Sequence, residues 1–194
     1  MSEQREDSRA LEQRIGRRFK QRELLETALT HSSFANEQKP QQVQYNERLE
    51  FLGDSVLSIV VSQYIFTHYD MLPEGDLSKV RATVVCEKSL AGFARRLGLG
   101  AFLRMGRGEE QNHGRERESI LADAFEALIA ALYLDGGLEA ATAFLMPYVE
   151  PAVEAAIAGH RFKDYKTELQ EIVQKNKEEH LSYQLVASHG PDHN

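Results

Sequence analysis

The chain has 194 residues, of which 42% are hydrophobic and 27% are charged. These values are ordinary for a soluble globular protein and exclude collagen-like, disordered and disulfide-scaffold classes. The 23 Lys and Arg residues against 30 Asp and Glu residues give a net charge of −7. Binding of nucleic acid through bulk charge is therefore excluded, and such a function would need local basic patches or bridging metal ions.

The compartment is indicated by what the sequence lacks. A single cysteine, Cys86, cannot form an internal disulfide, which fits a reducing environment. The N-terminal segment has no apolar stretch typical of a signal peptide. No apolar run reaches the length of a transmembrane helix. We therefore expect a soluble, cytoplasmic protein.

Helical periodicity runs through most of the chain. Helices are predicted, in chain order, over residues 22–31, 45–68, 76–85, 87–99, 119–134 and 138–157, the last interrupted by Pro147 and Pro151. Two polar stretches, 36–44 and 104–119, are predicted to be loops. No alternating strand pattern occurs before residue 160, so residues 1–160 are predicted to form an all-α domain.

Residues 161–194 differ from the rest of the chain. A polar amphipathic helix is followed by strand-like alternation over 182–187 and a turn at Gly190 and Pro191. About thirty residues cannot bury a core of their own. We therefore expect them to be the incomplete start of a second, α+β domain.

Three acidic residues lie in the segment NERLEFLGDSVL, residues 46–57. Glu47, Glu50 and Asp54 are spaced to share one helical face. Most such patterns are solvated acidic faces, but here the same face continues with Leu57 and Val61. Because the opposite face is also apolar, we predict that this helix is buried on nearly all sides.

A second acidic pair lies in the apolar helix from Ile120 to Leu134, where Asp123 and Glu126 are the charged residues. Desolvating two carboxylates is costly unless a cation compensates them. If the two acidic helices pack together, Glu50 and Asp54 join this pair in an all-oxygen cluster. Such a cluster suits Mg²⁺ or Mn²⁺, and a buried ion-pair network is the alternative.

Metal held by carboxylates is typical of phosphoryl transfer. No Ser–His–Asp or Cys–His arrangement, zinc spacing, Walker motif or Rossmann fingerprint competes with this interpretation. Cys86 lies among apolar residues and is predicted to belong to the core. His31 is predicted to form a hydrogen bond at a helix end.

Several segments resemble, in order, the characteristic stretches of the bacterial ribonuclease III family. They are ALTHSSF (28–34), NERLEFLGDSVL (46–57), EGDLSKVRATVV (74–85) and RESILADAFEALIAALYLDGG (117–137). DYKTELQE (164–171) and HGPDH (189–193) resemble the opening of that family's double-stranded-RNA-binding domain. The resemblance implies the ribonuclease III endonuclease fold for residues 1–160 and a truncated RNA-binding domain for residues 161–194.

The resemblance also implies roles for individual residues. Glu50, Asp123 and Glu126 match the family's magnesium ligands, and Asp54 and Glu126 match its catalytic residues. Glu47 and Glu74 match supporting acidic residues of the RNA cleft, and Phe51 matches an aromatic residue of the homodimer interface. The residues that match RNA-binding positions in the tail are Thr167, Gln170, Glu171, Gln174, Pro191 and His193.

The activity implied is hydrolysis of phosphodiester bonds in double-stranded RNA with Mg²⁺, for which Mn²⁺ is expected to substitute. The products would carry 5′-phosphates and short 3′ overhangs, and the family implies processing of ribosomal RNA precursors and other structured transcripts. Independently of the resemblance, Arg104, Arg107, Arg115 and Arg117 in the predicted loop are candidate phosphate contacts, although a solvated charged loop is equally compatible.

Two other functions were weighed. A binding-only RNA scaffold has no reason to retain buried acids, so the four carboxylates Glu50, Asp54, Asp123 and Glu126 argue against it. An unrelated all-α phosphohydrolase acting on small molecules would add histidines to the carboxylates, and neither acidic helix contains one within its motif.

Overall fold

The computed structural model describes residues 7–163, with side chains described for residues 7–159. In that part of the chain the regular structure is helical, apart from one isolated bridge between Thr30 and Arg104. The helices are α1 (Ser8–Ile15), α2 (Arg22–Ala28), α3 (Ser32–Glu37), α4 (Glu47–His68), α5 (Glu74–Val84), α6 (Glu87–Leu97), α7 (Arg107–Gln111) and α8 (Glu118–Lys163), with short 3-10 turns at Leu99–Phe102 and Gly114–Glu116. The predicted all-α fold class is confirmed here.

Three short helices were not predicted. They are α1 and α3, together with α7, which lies in the stretch predicted to be a loop. α3 begins after His31, whose ring nitrogen accepts a hydrogen bond from the amide of Ser33, as predicted for a residue at a helix end. Helices of five to eight residues are too short for apolar periodicity to reveal them.

Helix α4 is buried on one side only, so the prediction that it is buried nearly all round is wrong. Leu57 and Val61 are fully buried, as expected. By contrast, Phe51 is 79% exposed, Ile59 53% and Phe66 73%. The apolar residues of α4 therefore form a buried face and a second, exposed apolar face.

Helix α8 continues through both prolines, which were expected to interrupt it. Pro151 has no N–H to donate to the carbonyl of Pro147, the partner it would have in a regular α-helix. Arg96 donates its Nη2 to that carbonyl oxygen at 3.0 Å. A side chain of α6 thus satisfies the acceptor that the proline leaves open. The predicted stop at Gly136 and Gly137 is a kink, since Gly137 has φ 75°.

Cys86 is exposed, so its prediction as a core residue is wrong. It precedes α6, where its Sγ lies 3.3 Å from both the Thr83 carbonyl oxygen and Ser89 Oγ. Partial burial raises the pKa of this thiol, but hydrogen bonds from Ser89 and from the amide of Lys88 outweigh that effect and lower it overall.

Two helical segments, Glu47–His68 and Glu118–Gly159, have the length and mean hydropathy that crossing a membrane would require. Their most apolar windows are 39% and 56% buried within the protein. Core helices of soluble proteins meet the same criterion, and both helices carry acidic residues that face the protein. This observation is therefore weak evidence for a membrane span.

The chain divides into two compact units, Met1–Ala156 and Ile157–Asn194. The core of the first unit forms around the N-terminal half of α8. From Ala124 to Leu132 every residue except Glu126 is fully shielded from solvent. An acidic residue in this position is what makes the helix chemically unusual.

Candidate metal centre

Helices α4 and α8 touch at their backbones. A Cβ atom at Gly53 would overlap the carbonyl oxygen of Glu126, so only glycine allows this approach. Gly53 follows Glu50 by three residues and directly precedes Asp54. The close approach therefore carries the acids of α4 to those of α8.

Three carboxylates meet at this contact. Glu50, Asp123 and Glu126 each offer an oxygen atom, and these atoms lie within 4.8 Å of one another. All three side chains are partly buried. The expected packing of the two acidic helices is therefore present, and it places these three residues where one small cation could reach all of them.

The three carboxyl groups hold their protons more tightly than free acids do. Burial is the largest cause of the raised pKa of Glu126, which moves from 4.5 to about 8, and Asp54, Glu50 and Asp123 add to the effect. Burial, followed by repulsion from Asp123 and Glu47, raises the pKa of Glu50. Mutual repulsion in a low-dielectric site is the physical signature of a cluster that lacks positive charge.

Asp123 lies at the edge of the cluster nearest to three further charged groups. Burial and then Glu87 raise the pKa of Asp123, as does Glu47, whereas His31 lowers it. Glu47 is exposed at the first residue of α4, which agrees with a supporting position. Asp54 is exposed beside Glu126, on the open side of the cluster.

The residues fit a divalent cation. Within the described side chains, no Lys or Arg forms an ion pair with Glu50, Asp123 or Glu126, which disfavours the alternative of a buried ion-pair network. All donors are carboxylate oxygens, the ligands preferred by Mg²⁺ and Mn²⁺. A bound cation would offset both the burial and the repulsion that raise the three pKa values.

Two residues expected near the site lie elsewhere on the surface. Glu74 is exposed at the start of α5, where its Oε1 accepts a hydrogen bond from Ser78 at 2.8 Å. It lines a groove of about 450 Å³ between α4 and α5 rather than the carboxylate cluster. Phe51 projects from α4 into solvent, a position open to a second protein surface.

The four arginines of the segment 104–119 differ in availability. Arg115 donates to the carbonyl oxygens of Gly100 and Leu103 at 2.9 and 2.8 Å and pairs with Glu110, so it stabilises the fold and is a poor candidate for a phosphate contact. Two others are paired as well, Arg104 with Glu26 and Arg117 with Glu109. Arg107 is exposed at the first residue of α7.

The tail residues predicted to bind RNA lie outside the described residues. They are Thr167, Gln170, Glu171, Gln174, Pro191 and His193. Their roles stay predictions.

Sequence reasoning missed three contributors to this site. Gly53 allows the helix contact, and a glycine flanked by acids inside a long helix was an available signal. Glu87 and His31 act on Asp123 from distant parts of the chain, and no periodicity in the sequence connects them to it.

The family model described as Ribonuclease-III-like matches residues 21–152. "Ribonuclease 3" of Caldanaerobacter subterraneus subsp. tengcongensis is 54% identical over 184 residues, which cover 95% of this chain and 80% of the relative. "Ribonuclease 3" of Oceanobacillus iheyensis is 48% identical over 188 residues, with 97% and 82% covered. The chain belongs to the ribonuclease III family.

Solved structures agree with this assignment. The nuclease domain of ribonuclease III from Campylobacter jejuni superimposes with a TM-score of 0.69 at 45% sequence identity, covering 75% of this chain and 98% of that chain. A second structure of the same domain, at 2.2 Å resolution, gives a TM-score of 0.68. The first of these is described as flexible in a region involved in dimer formation.

Proposed function

We propose that this protein is an endoribonuclease that hydrolyses phosphodiester bonds of double-stranded RNA with the help of Mg²⁺. The observation that carries the proposal is the carboxylate cluster of Glu50, Asp123 and Glu126, placed by a glycine contact in a chain of the ribonuclease III family. Mn²⁺ is expected to substitute, because both ions accept all-oxygen ligand sets.

Glu50, Asp123 and Glu126 would hold the ion. When bound, a divalent cation supplies a Lewis acid that stabilises developing charge on the phosphate and lowers the pKa of a water molecule. Glu126 is placed to contribute both to ion binding and to the chemistry. Asp54 faces solvent beside it, where an ionised carboxylate can orient an attacking water and accept its proton.

Cleavage of a duplex rather than a single strand is the expectation that comes with the family. Proteins recognise A-form RNA mainly through its shape, phosphates and 2′-hydroxyl groups. Exposed Arg107 is the best placed of the loop arginines for a phosphate contact. We further propose that residues 1–160 form the nuclease domain and residues 161–194 the start of a double-stranded-RNA-binding domain, working in the cytoplasm.

We propose that the protein acts as a homodimer through the exposed apolar face of α4. That face presents projecting rings, Phe51 and Phe66, beside the groove between α4 and α5. A two-fold interface uses the same patch on both subunits, so one surface must carry both projections and hollows. Two sites related by that symmetry would cut opposite strands and leave 5′-phosphates with short 3′ overhangs.

The test is cleavage of an end-labelled RNA duplex at low salt, with and without Mg²⁺. The parent protein is compared with Glu126→Gln and with Glu139→Gln, an exposed residue of the same helix whose substitution removes the same charge. We expect Mg²⁺-dependent cleavage by the parent and by Glu139→Gln, and none by Glu126→Gln.

The same assay separates the alternatives. If the parent shifts duplex RNA in a gel but does not cut it in any metal, the protein is a binding scaffold. Cleavage that persists in Glu126→Gln would show that the cluster is not the catalytic centre.

A further inference from the structure

His31 belongs to a segment that is held between two parts of the carboxylate site. On one side its amide donates to the Arg104 carbonyl at 2.9 Å, and on the other side Thr30 accepts from the amide of Asn46 at 2.9 Å. The carbonyl of Asn46 in turn accepts from the amide of Glu50 at 2.9 Å. Two backbone hydrogen bonds therefore separate the residue next to His31 from a proposed metal ligand.

The orientation and tautomer of the His31 ring follow from its contacts with Ser33. Nδ1 accepts a hydrogen bond from the Ser33 amide at 3.2 Å and lies 2.8 Å from Ser33 Oγ. A nitrogen that accepts carries no proton, so in the neutral ring the proton is on Nε2. The ring thus has one nitrogen used for capping α3 and a second that is free to donate.

The free end of this ring acts on the Asp123 side of the cluster. Of the charged groups that act on Asp123, His31 is the one with a favourable effect on the carboxylate, while Glu87 and Glu47 oppose it. In the described part of the chain no direct hydrogen bond joins His31 to Asp123, which leaves room for one bridging water. Water-mediated contacts of this kind are nearly as favourable as direct ones.

We propose that His31 is a positioning residue of the metal centre, which donates Nε2–H through a water molecule to the carboxylate of Asp123. Ligating carboxylates are commonly held by hydrogen bonds from a second layer of residues, and loss of such a partner typically weakens metal binding about 10- to 100-fold. This inference rests on the proposed metal centre and adds a residue that lies 92 positions from Asp123 in sequence.

The experiment is calorimetric titration of the full chain with Mn²⁺, without RNA, so that the readout does not depend on activity. His31→Ser keeps a good helix cap for α3 but is too short to replace the donor. His31→Gln keeps a long N–H donor but caps poorly. We expect His31→Ser to bind Mn²⁺ about 10-fold more weakly than the parent, and His31→Gln to recover most of that loss.

Thermal unfolding of the metal-free variants completes the test. Weaker Mn²⁺ binding by His31→Ser at an unchanged melting temperature supports the positioning role. Unchanged binding overturns it, and so does a loss of binding that follows melting temperature across both variants, since the role would then be structural. If the parent itself binds no Mn²⁺, the proposed metal centre fails first, and this inference fails with it.

Discussion

Replacing Glu126 by glutamine is expected to stabilise the protein when no metal is bound. Glu126 lies in an otherwise fully buried stretch of α8, and Asp54, Glu50 and Asp123 repel its charge. Glutamine has nearly the same shape and carries no charge. The same substitution that is expected to abolish catalysis should therefore raise the free energy of unfolding of the metal-free protein.

The magnitude and pH range follow from the pKa of Glu126, which rises from 4.5 to about 8 on folding. Because the folded state holds the proton more tightly, the free energy of unfolding falls as pH rises between these two values. At about 1.4 kcal/mol per pH unit, the upper bound is about 5 kcal/mol. Glu126 is only partly buried, so solvent screening reduces the expected effect to about 1–2 kcal/mol.

Urea unfolding in the presence of a chelator, at pH 5 and at pH 8, measures this effect. We expect Glu126→Gln to match the parent near pH 5 and to exceed it by about 1–2 kcal/mol near pH 8. Added Mg²⁺ should then stabilise the parent by mass action and leave the variant unchanged.

The control is Glu139→Gln, which removes one negative charge from an exposed position of the same helix. It accounts for the general benefit of reducing a net charge of −7. If Glu126→Gln gains no more than this control at pH 8, the carboxylate is not strained by its surroundings, and the argument for a metal based on charge is refuted.

Three further predictions concern parts of the structure outside the carboxyl groups. Gly53→Ala forces α4 and α8 apart, so we expect a loss of about 2–4 kcal/mol in urea unfolding and no measurable Mn²⁺ binding; a fully stable, metal-binding variant would disprove the backbone contact. Arg96→Met leaves the Pro147 carbonyl without its donor, at a cost of about 1–3 kcal/mol in the same assay, whereas unchanged stability would show that water replaces the guanidinium. Phe51→Ala removes a projecting ring from α4 and should weaken dimerisation, measured by sedimentation, with little change in the stability of the subunit.

The carboxylate cluster could be predicted because its chemistry is written into local sequence. Asp123 and Glu126 are conspicuous as charges within an apolar helix, and the face that carries Glu50 and Asp54 follows from helical spacing alone. The long helices were predictable for the same reason, because apolar periodicity extends over several turns. Each of these features depends on residues a few positions apart.

The features that were missed depend on contacts between distant segments. Apolar residues all round α4 look the same in sequence whether the chain itself or another protein covers them, so the exposure of Phe51 and Phe66 could not be predicted. Pro147 and Pro151 normally end a helix, and the rescuing donor, Arg96, lies on α6. His31 reaches the site through backbone hydrogen bonds that no local pattern indicates.

The contact at Gly53 limits how the site can vary. Two helices already touching at their main chains cannot move closer, so the distance from each backbone to the ion must be spanned by side-chain length alone. Aspartate is one methylene shorter than glutamate, and neither helix can shift inward to compensate. An exchange such as Glu126→Asp, which preserves charge and ligand chemistry, would therefore leave the oxygen short of the ion. In this protein the choice between the two acids acts as a measure of length.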